Sequence, residues 1–164
     1  MKKIRIKKKP SQPRKSLNRH PNSHAREVAL QALYQLEVVH HPMPEVMEFR
    51  WLNNPLTDEE HALTLQLIEG VAELEGKIDG VIDAYIHKDA SQISTIVRSI
   101  LRMGTFEILK GAFDIRILID DYCTLTRRYD GDPSVGFVHG TLDHIYQDHR
   151  AIREGEDGEK STDV

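Results

Sequence analysis

Apolar side chains recur at intervals of three and four residues along most of the chain, and this is the period of an amphipathic α-helix. The first apolar stripe consists of Ala25, Ala29, Ala32, Leu33 and Leu36. With Ser23 as its N-cap, this stripe predicts a helix that runs to about His40. Pro42 and Pro44 then interrupt the pattern, and we expect a short helix around residues 46–52.

The next helix has the clearest start signal. Thr57 is followed three residues later by Glu60, which is the pattern of a capping box, and an apolar stripe begins directly after it. The stripe changes phase and continues to Tyr85, so the sequence predicts bends at Gly76 and Gly80.

Three more helices are predicted in the second half of the chain. One covers residues 93–109 and ends near Gly111, and another lies over residues 115–123, whose first five positions alone also fit a strand. Asp132 and Pro133 have the pattern of an N-cap and a first helical residue for the last helix. Since no convincing β-hairpin signal is present, we expect a compact all-α domain of six or seven helices.

Charge is separated along the sequence. The chain carries 22 Lys and Arg against 26 Asp and Glu, for a net charge of −4. Residues 1–20 hold nine basic and no acidic residues, whereas residues 152–164 hold five acidic and two basic ones. The remaining residues, 21–151, therefore carry −10. A basic arm of this kind is typical of a segment that contacts a polyanion.

Composition also predicts the boundaries of the domain. The arm has three prolines and few apolar side chains, too few to offset the entropy lost on ordering. The predicted organisation is a disordered basic arm over residues 1–22, a helical domain over residues 23–152 and a disordered acidic tail over residues 153–164.

Several classes of function find no support in the sequence. The single cysteine, Cys123, cannot form an internal disulfide, and no segment approaches the roughly 18 apolar residues of a membrane span. We therefore expect a cytoplasmic protein without membrane contact. No phosphate-binding glycine loop or catalytic triad is evident. His20 and His24 have the four-residue spacing of a metal pair, but Pro21 between them argues against one continuous helix. We therefore expect no enzymatic activity, no catalytic residue, no metal and no cofactor.

Four short blocks of sequence point to a known family. They are AREVALQALY at residues 25–34, LIEGV at 67–71 followed by Ile78-Asp79, ILR at 100–102 followed by Phe106-Glu107, and FVHGTLD at 137–143. In this order and spacing the blocks resemble the NusB family of bacterial transcription antitermination factors. The likeness covers roughly residues 23–147.

The resemblance implies an all-helical fold and a non-enzymatic task. Members of the family pair with NusE, a small-subunit ribosomal protein, and the pair binds single-stranded boxA RNA in nascent ribosomal RNA transcripts. The expected partners are therefore boxA-type RNA, NusE and the RNA polymerase antitermination complex. Some relatives self-associate through the RNA surface, so a homodimer is a further expectation.

Single-stranded RNA is bound by positive charge along its backbone and by flat side chains on which bases stack. The arm and the family motifs together predict that RNA is contacted by Arg14, Lys15, Arg19, His24, Arg26, Tyr85 and Phe137. The alternatives stay open at this point. Tyr85 and Phe137 also fit core positions, and the arm also fits a solubilising tail.

The chain departs from the family pattern at the expected RNA surface. Asn22, Ser23 and His24 stand where the family usually has a short arginine run, and Gly136 stands where a basic residue commonly precedes the phenylalanine. The hypothesis is that Arg14, Lys15 and Arg19 in the arm supply the positive charge that the helical domain lacks at its expected RNA surface.

The partner surface matches the family only in part. Tyr34 corresponds to the family tyrosine that faces NusE, although it also fits a core position. Ser91 and Val97 stand where acidic residues are common in the family, so polar contacts there are not carried over. The alternative to an antitermination adaptor is a helical protein-interaction module whose basic arm binds nucleic acid without sequence preference.

Overall fold

A computed structural model describes residues 22–87, 90–111 and 114–160. Over these ranges the chain forms helices and no strand, which confirms the predicted all-α fold. The α-helices are α1 (Ser23–Tyr34), α2 (Met43–Met47), α3 (Asp58–Asp83), α4 (Thr95–Lys110), α5 (Ile115–Tyr129) and α6 (Val135–Lys160). A π-helical turn, Gln35–Val39, continues α1, and short 3-10 turns lie at Ala90–Gln92 and Asp132–Ser134.

Helix α1 starts one residue earlier than the sequence predicted. Asn22 is its N-cap, in a left-handed conformation with φ of 69°, and Ser23 is the first helical residue. The prediction of Ser23 as N-cap is wrong because the Ser23 hydroxyl donates to Asp121 Oδ1 over 2.6 Å instead of accepting from a helix N–H. The π-helical turn extends the helical path to Val39, one residue short of the predicted end.

Helix α3 confirms the predicted capping box and contains the two glycines at which bends were predicted. The Thr57 hydroxyl accepts from the Glu60 N–H, and the Glu60 carboxylate accepts from the Thr57 N–H over 2.8 Å. The helix then runs for 26 residues without interruption. Gly76 and Gly80 lie inside this continuous helix, so neither of them ends it.

The remaining boundaries differ from the predictions by a few residues. Ser94 caps α4 by accepting from a backbone N–H, so Ile93 lies outside the helix. Asp132 and Pro133 form a separate 3-10 turn and α6 follows it. Helix α6 continues to Lys160, so the sequence boundary placed after residue 152 falls inside a helix.

The core forms around α4, which packs against α1, α3, α5 and α6. Helices α3 and α4 run in opposite directions and approach closely where the Phe106 ring occupies the space above Gly70. On the other side of α4, the Leu142 side chain of α6 packs over Gly104. These two close approaches fix the helices that carry the candidate functional side chains.

Candidate functional site

A buried network of charged side chains joins α1, α4 and α5. Arg26 is 1% exposed, and its guanidinium donates to both carboxylate oxygens of Glu107 over 2.9 and 3.0 Å and to Asp121 over 2.9 Å. The Tyr122 hydroxyl donates to Glu107 over 2.5 Å, and Ser23 donates to Asp121. Three adjacent helices are thus tied together at the start of the domain.

The network holds its charges in defined protonation states. Burial alone lowers the pKa of Arg26, but the hydrogen bonds and charge of Glu107 outweigh it and raise that pKa above the ordinary value. Burial, followed by the negative charge of Glu107, raises the pKa of Tyr122, so this side chain is a neutral donor. The positive charge of Arg26 is matched by carboxylates on two other helices.

This arrangement corrects the prediction that Arg26 contacts RNA. Its guanidinium is covered and directed at Glu107 and Asp121, so it is not presented to an RNA phosphate. The sequence could not distinguish this role from a surface one, because the two carboxylates lie 81 and 95 residues away along the chain.

Tyr85 lies just beyond the end of α3 and contacts α6. Its ring is half-buried against the core, and its hydroxyl donates to Asp148 Oδ2 over 2.5 Å. This hydrogen bond, then partial burial, raises the pKa of Tyr85, so the phenol stays protonated. Asp148 was not singled out by the sequence analysis, since nothing in its local sequence signals a partner 63 residues away.

Phe137 lies in the first turn of α6 on the same side of that helix as Asp148. The two residues are eleven positions apart, which is close to three helical turns and about 16 Å along the axis. Phe137 is half-buried and packs against the core, whereas the next residue, Val138, is fully buried. Phe137, Asp148 and the Tyr85 bonded to it are called the aromatic stripe below.

The other predicted RNA-contacting residues lie elsewhere. His24, in the first turn of α1, is 25% exposed and its Nδ1 lies 3.5 Å from Glu60 Oε2 on α3. Arg14, Lys15 and Arg19 lie outside the described residues, so their contacts stay predictions. The structure therefore links Tyr85 to the side of α6 that carries Phe137, whereas His24 contacts Glu60 of α3.

Most arginines of the domain are already paired with carboxylates. Arg102 of α4 bridges to Asp79, Glu75 and Glu37, over 2.7, 3.0 and 3.4 Å. Ion pairs are also made by Arg26, Arg50, Arg98, Arg127, Arg128 and Arg150. The body thus directs much of its positive charge to its own acids, which leaves RNA phosphates dependent on other cations.

Tyr34 borders an apolar groove at the end of α1. The groove has a volume of about 360 Å³ and is lined by Leu30, Gln31, Tyr34, Gln35, Trp51, Ile96 and Tyr129. Tyr34 itself is 40% exposed, and the Trp51 indole is fixed by donating to the Val46 carbonyl over 2.9 Å. This set of residues is called the Tyr34 groove.

The wall of the Tyr34 groove is rigidified by polar contacts behind it. Gln31 donates to the Tyr129 hydroxyl and Tyr129 donates to Glu27, each over 2.7 Å. Burial, then the bond to Glu27, raises the pKa of Tyr129. The sequence did not single out Trp51, Ile96 or Tyr129 because they come from three separate segments.

Exposed apolar residues extend the surface beyond the Tyr34 groove. Val38, Val39 and Met43 are 41%, 46% and 43% exposed. They lie in and after the π-helical turn that begins next to Tyr34. Ser91 is exposed, whereas Val97 is buried, so of these two positions only Ser91 lies on the surface.

Metal sites and membrane-spanning helices are both absent from the described ranges. There, no group of three His, Cys, Asp or Glu side chains is arranged to hold a metal ion, and no helix is long and apolar enough to cross a membrane. Cys123 is buried, and burial raises the pKa of its thiol.

Comparison with known proteins identifies relatives across the helical domain. The model of the NusB family matches residues 23–147. A transcription antitermination protein NusB of Leptospira biflexa is 32% identical over 124 residues, covering 74% of this chain and 89% of the relative. Another, of Halorhodospira halophila, is 33% identical over 141 residues, covering 85% and 90%.

Solved structures share the fold. A NusB of T. maritima superposes with a TM-score of 0.70 at 27% identity, covering 80% of this chain and 94% of that one. A structure of antitermination factors NusB and NusE in complex with dsRNA gives a TM-score of 0.64 at 21% identity, covering 76% and 95%. Given the family match over residues 23–147 and these relatives above 30% identity, the chain belongs to the NusB family.

Proposed function

We propose that this protein is an RNA-binding adaptor in transcription antitermination, which binds boxA-type single-stranded RNA together with NusE and supports ribosomal RNA transcription. The observation that carries the proposal is the presence of two separate surfaces on a NusB domain. The Tyr34 groove is built by α1, α4, α5 and Trp51, whereas the aromatic stripe is built by α6 and the end of α3. They share no residue, so one chain has room for two ligands at once.

The Tyr34 groove is the proposed site for NusE. Its lining is almost wholly apolar and aromatic, and exposed apolar surface of this kind marks protein-protein contacts. The net charge of −10 over residues 21–151 favours encounter with a basic ribosomal protein. A structure with the same fold is described as a complex of NusB and NusE with dsRNA, which supports NusE as the partner.

The aromatic stripe and the basic arm are the proposed sites for RNA. Phe137 and Tyr85 offer rings for base stacking, and the arm offers charge that the body has largely committed to its own ion pairs. If about five arm charges engage phosphates, the log-log salt dependence of RNA affinity has a slope of about −3.5, since each contact contributes about −0.7 on single strands. The third proposed partner is the RNA polymerase antitermination complex, which this protein joins together with NusE and RNA.

The proposed role is assembly without catalysis. The relatives are named antitermination proteins, and the surfaces described above are suited to holding partners rather than to moving protons or electrons. Action on a nascent bacterial transcript also places the proposed function in the cytoplasm.

The test is RNA binding by the full chain, measured by fluorescence anisotropy on boxA, scrambled single-stranded and duplex RNA, each with and without NusE. The proposal predicts a preference for single-stranded boxA that NusE strengthens. Equal binding to all three RNAs, unaffected by NusE, would instead establish the alternative of a nonspecific nucleic-acid-binding module.

Deleting residues 1–20 tests the contribution of the arm. The deletion is expected to weaken RNA binding and to flatten the salt slope while preserving the helical content of the domain. Unchanged affinity and slope would overturn the assignment of Arg14, Lys15 and Arg19 to RNA.

A further inference from the structure

Asp148 is an unexpected residue on the aromatic stripe. It is exposed on α6, and a carboxylate on a surface that binds RNA repels phosphates and so opposes binding. Its position therefore calls for a role other than attraction to RNA.

The structure shows what the carboxylate contacts. Asp148 Oδ2 accepts the hydroxyl of Tyr85 over 2.5 Å, and this bond joins the end of α3 to α6. Tyr85 lies beyond the last residue of α3, Asp83, where the backbone is no longer held by a continuing helix. A hydroxyl bonded to a carboxylate is among the stronger hydrogen bonds, so it limits how far the Tyr85 side chain can swing away from α6.

The contact also sets where the ring is presented. Asp148 and Phe137 lie on one side of α6, about 16 Å apart along its axis. Between them on that side His144 is exposed and Thr141 is buried, so His144 is the side chain of this stretch that solvent reaches.

We propose that Asp148 is a positioning residue for RNA, whose carboxylate holds the Tyr85 ring beside the face of α6 that carries Phe137, so that two bases of one strand stack on the two rings. This inference rests on the proposed RNA-binding function. Asp148 then favours RNA binding indirectly, by holding Tyr85, although its negative charge repels the RNA phosphates.

Replacing Asp148 should weaken RNA binding if its role is positioning and strengthen RNA binding if it only repels phosphates. The experiment is anisotropy of labelled boxA RNA with the full-length Asp148→Ala, Asp148→Asn and Tyr85→Phe proteins, together with the double variant Tyr85→Phe/Asp148→Ala. Glu73→Ala, which removes an exposed carboxylate from α3, is the control for charge alone. Circular dichroism checks that each variant keeps its helices.

Positioning predicts that Asp148→Ala weakens RNA binding by about three- to tenfold, although the change removes a negative charge. Asp148→Asn retains an oxygen that accepts the Tyr85 hydroxyl, so it stays within about twofold of the wild type or binds more tightly. Tyr85→Phe, which keeps the repelling carboxylate, weakens binding at least as much as Asp148→Ala, and the double variant matches Asp148→Ala, because both of these lack the bond and the charge.

Tighter binding by Asp148→Ala, to the same degree as Asp148→Asn, would overturn the inference and leave only charge repulsion. Equal binding by wild type and Asp148→Ala would also overturn it, while Phe137→Ala with reduced affinity would keep the proposed function intact. A wild-type protein that binds none of the RNAs would overturn both.

Discussion

The two ends of α1 distribute charge and apolar surface in opposite ways. At its start, Arg26 and Glu27 are 1% and 8% exposed, whereas beyond its end Val38 and Val39 are 41% and 46% exposed. Buried charges persist only where partners compensate them, and Arg26 has two. Exposed apolar clusters persist where another molecule covers them. One helix thus begins as a structural anchor and ends as a proposed partner surface.

The largest expected effect comes from breaking the anchor. Arg26→Met leaves Glu107 and Asp121 buried without their counter-charge, so the free energy of unfolding should fall by about 3 to 5 kcal/mol. Urea denaturation followed by circular dichroism measures the change. Arg127→Ala removes an exposed pair with Asp132 and should cost at most about 1 kcal/mol. Equal losses in the two variants would contradict the structural role of Arg26.

At the other end of α1, truncation should affect binding and spare stability. Tyr34→Ala is expected to weaken NusE binding by about 2 kcal/mol or more, about 30-fold, because the ring borders the centre of an aromatic groove. Isothermal titration calorimetry with NusE measures this loss. Ile152→Ala, which trims an exposed apolar residue on α6, is the matched control and should bind as the wild type does. Wild-type affinity in Tyr34→Ala would remove the groove from the partner surface.

The aromatic stripe allows the same separation for RNA. Phe137→Ala should weaken boxA binding by about 1 to 3 kcal/mol, the value of one stacked base, and leave NusE binding unchanged. His139→Ala, two residues away and exposed, is the control in the anisotropy measurement. If both variants bind RNA as the wild type does, Phe137 is a core residue and does not belong to the RNA site.

The smallest expected effect concerns the start of α3, next to α1. The hydrogen bond from the Thr57 N–H, together with nearby His24, lowers the pKa of Glu60 below its ordinary 4.5. A lowered folded-state pKa stabilises the fold above the unfolded pKa, and this contribution disappears as pH falls through the folded value.

Glu60→Gln should therefore be less stable than the wild type near pH 6, by about 1 kcal/mol or less, and the difference should shrink toward about pH 3. Urea denaturation across this range measures the trend. A difference that stays constant across this range would show that the capping box does not depend on the Glu60 charge.

Local patterns in the sequence predicted the helices because their signals lie within a few residues. The capping box of Thr57 and Glu60 spans one helical turn, and it was confirmed. Gly76 and Gly80 do not interrupt the helix, because a single glycine costs only about 1 kcal/mol relative to alanine in a helix.

The candidate sites depend on contacts between distant segments, which local patterns do not encode. Arg26 was predicted to contact RNA at the surface, but in the structure it is buried and bonded to carboxylates of α4 and α5. Tyr85 was singled out through the family resemblance, but no sequence pattern pointed to its partner Asp148. Family resemblance therefore identified the aromatic positions, and only the fold identified what holds them.

The most direct test of the account is the enhancement of boxA binding by NusE, measured in the wild type, Tyr34→Ala and Phe137→Ala under identical conditions. Two separate surfaces predict that Tyr34→Ala keeps the RNA affinity of the protein alone and loses the enhancement, whereas Phe137→Ala loses RNA affinity and keeps the enhancement factor. Loss of both properties in both folded variants, or of neither, would contradict an adaptor with distinct sites for RNA and for NusE.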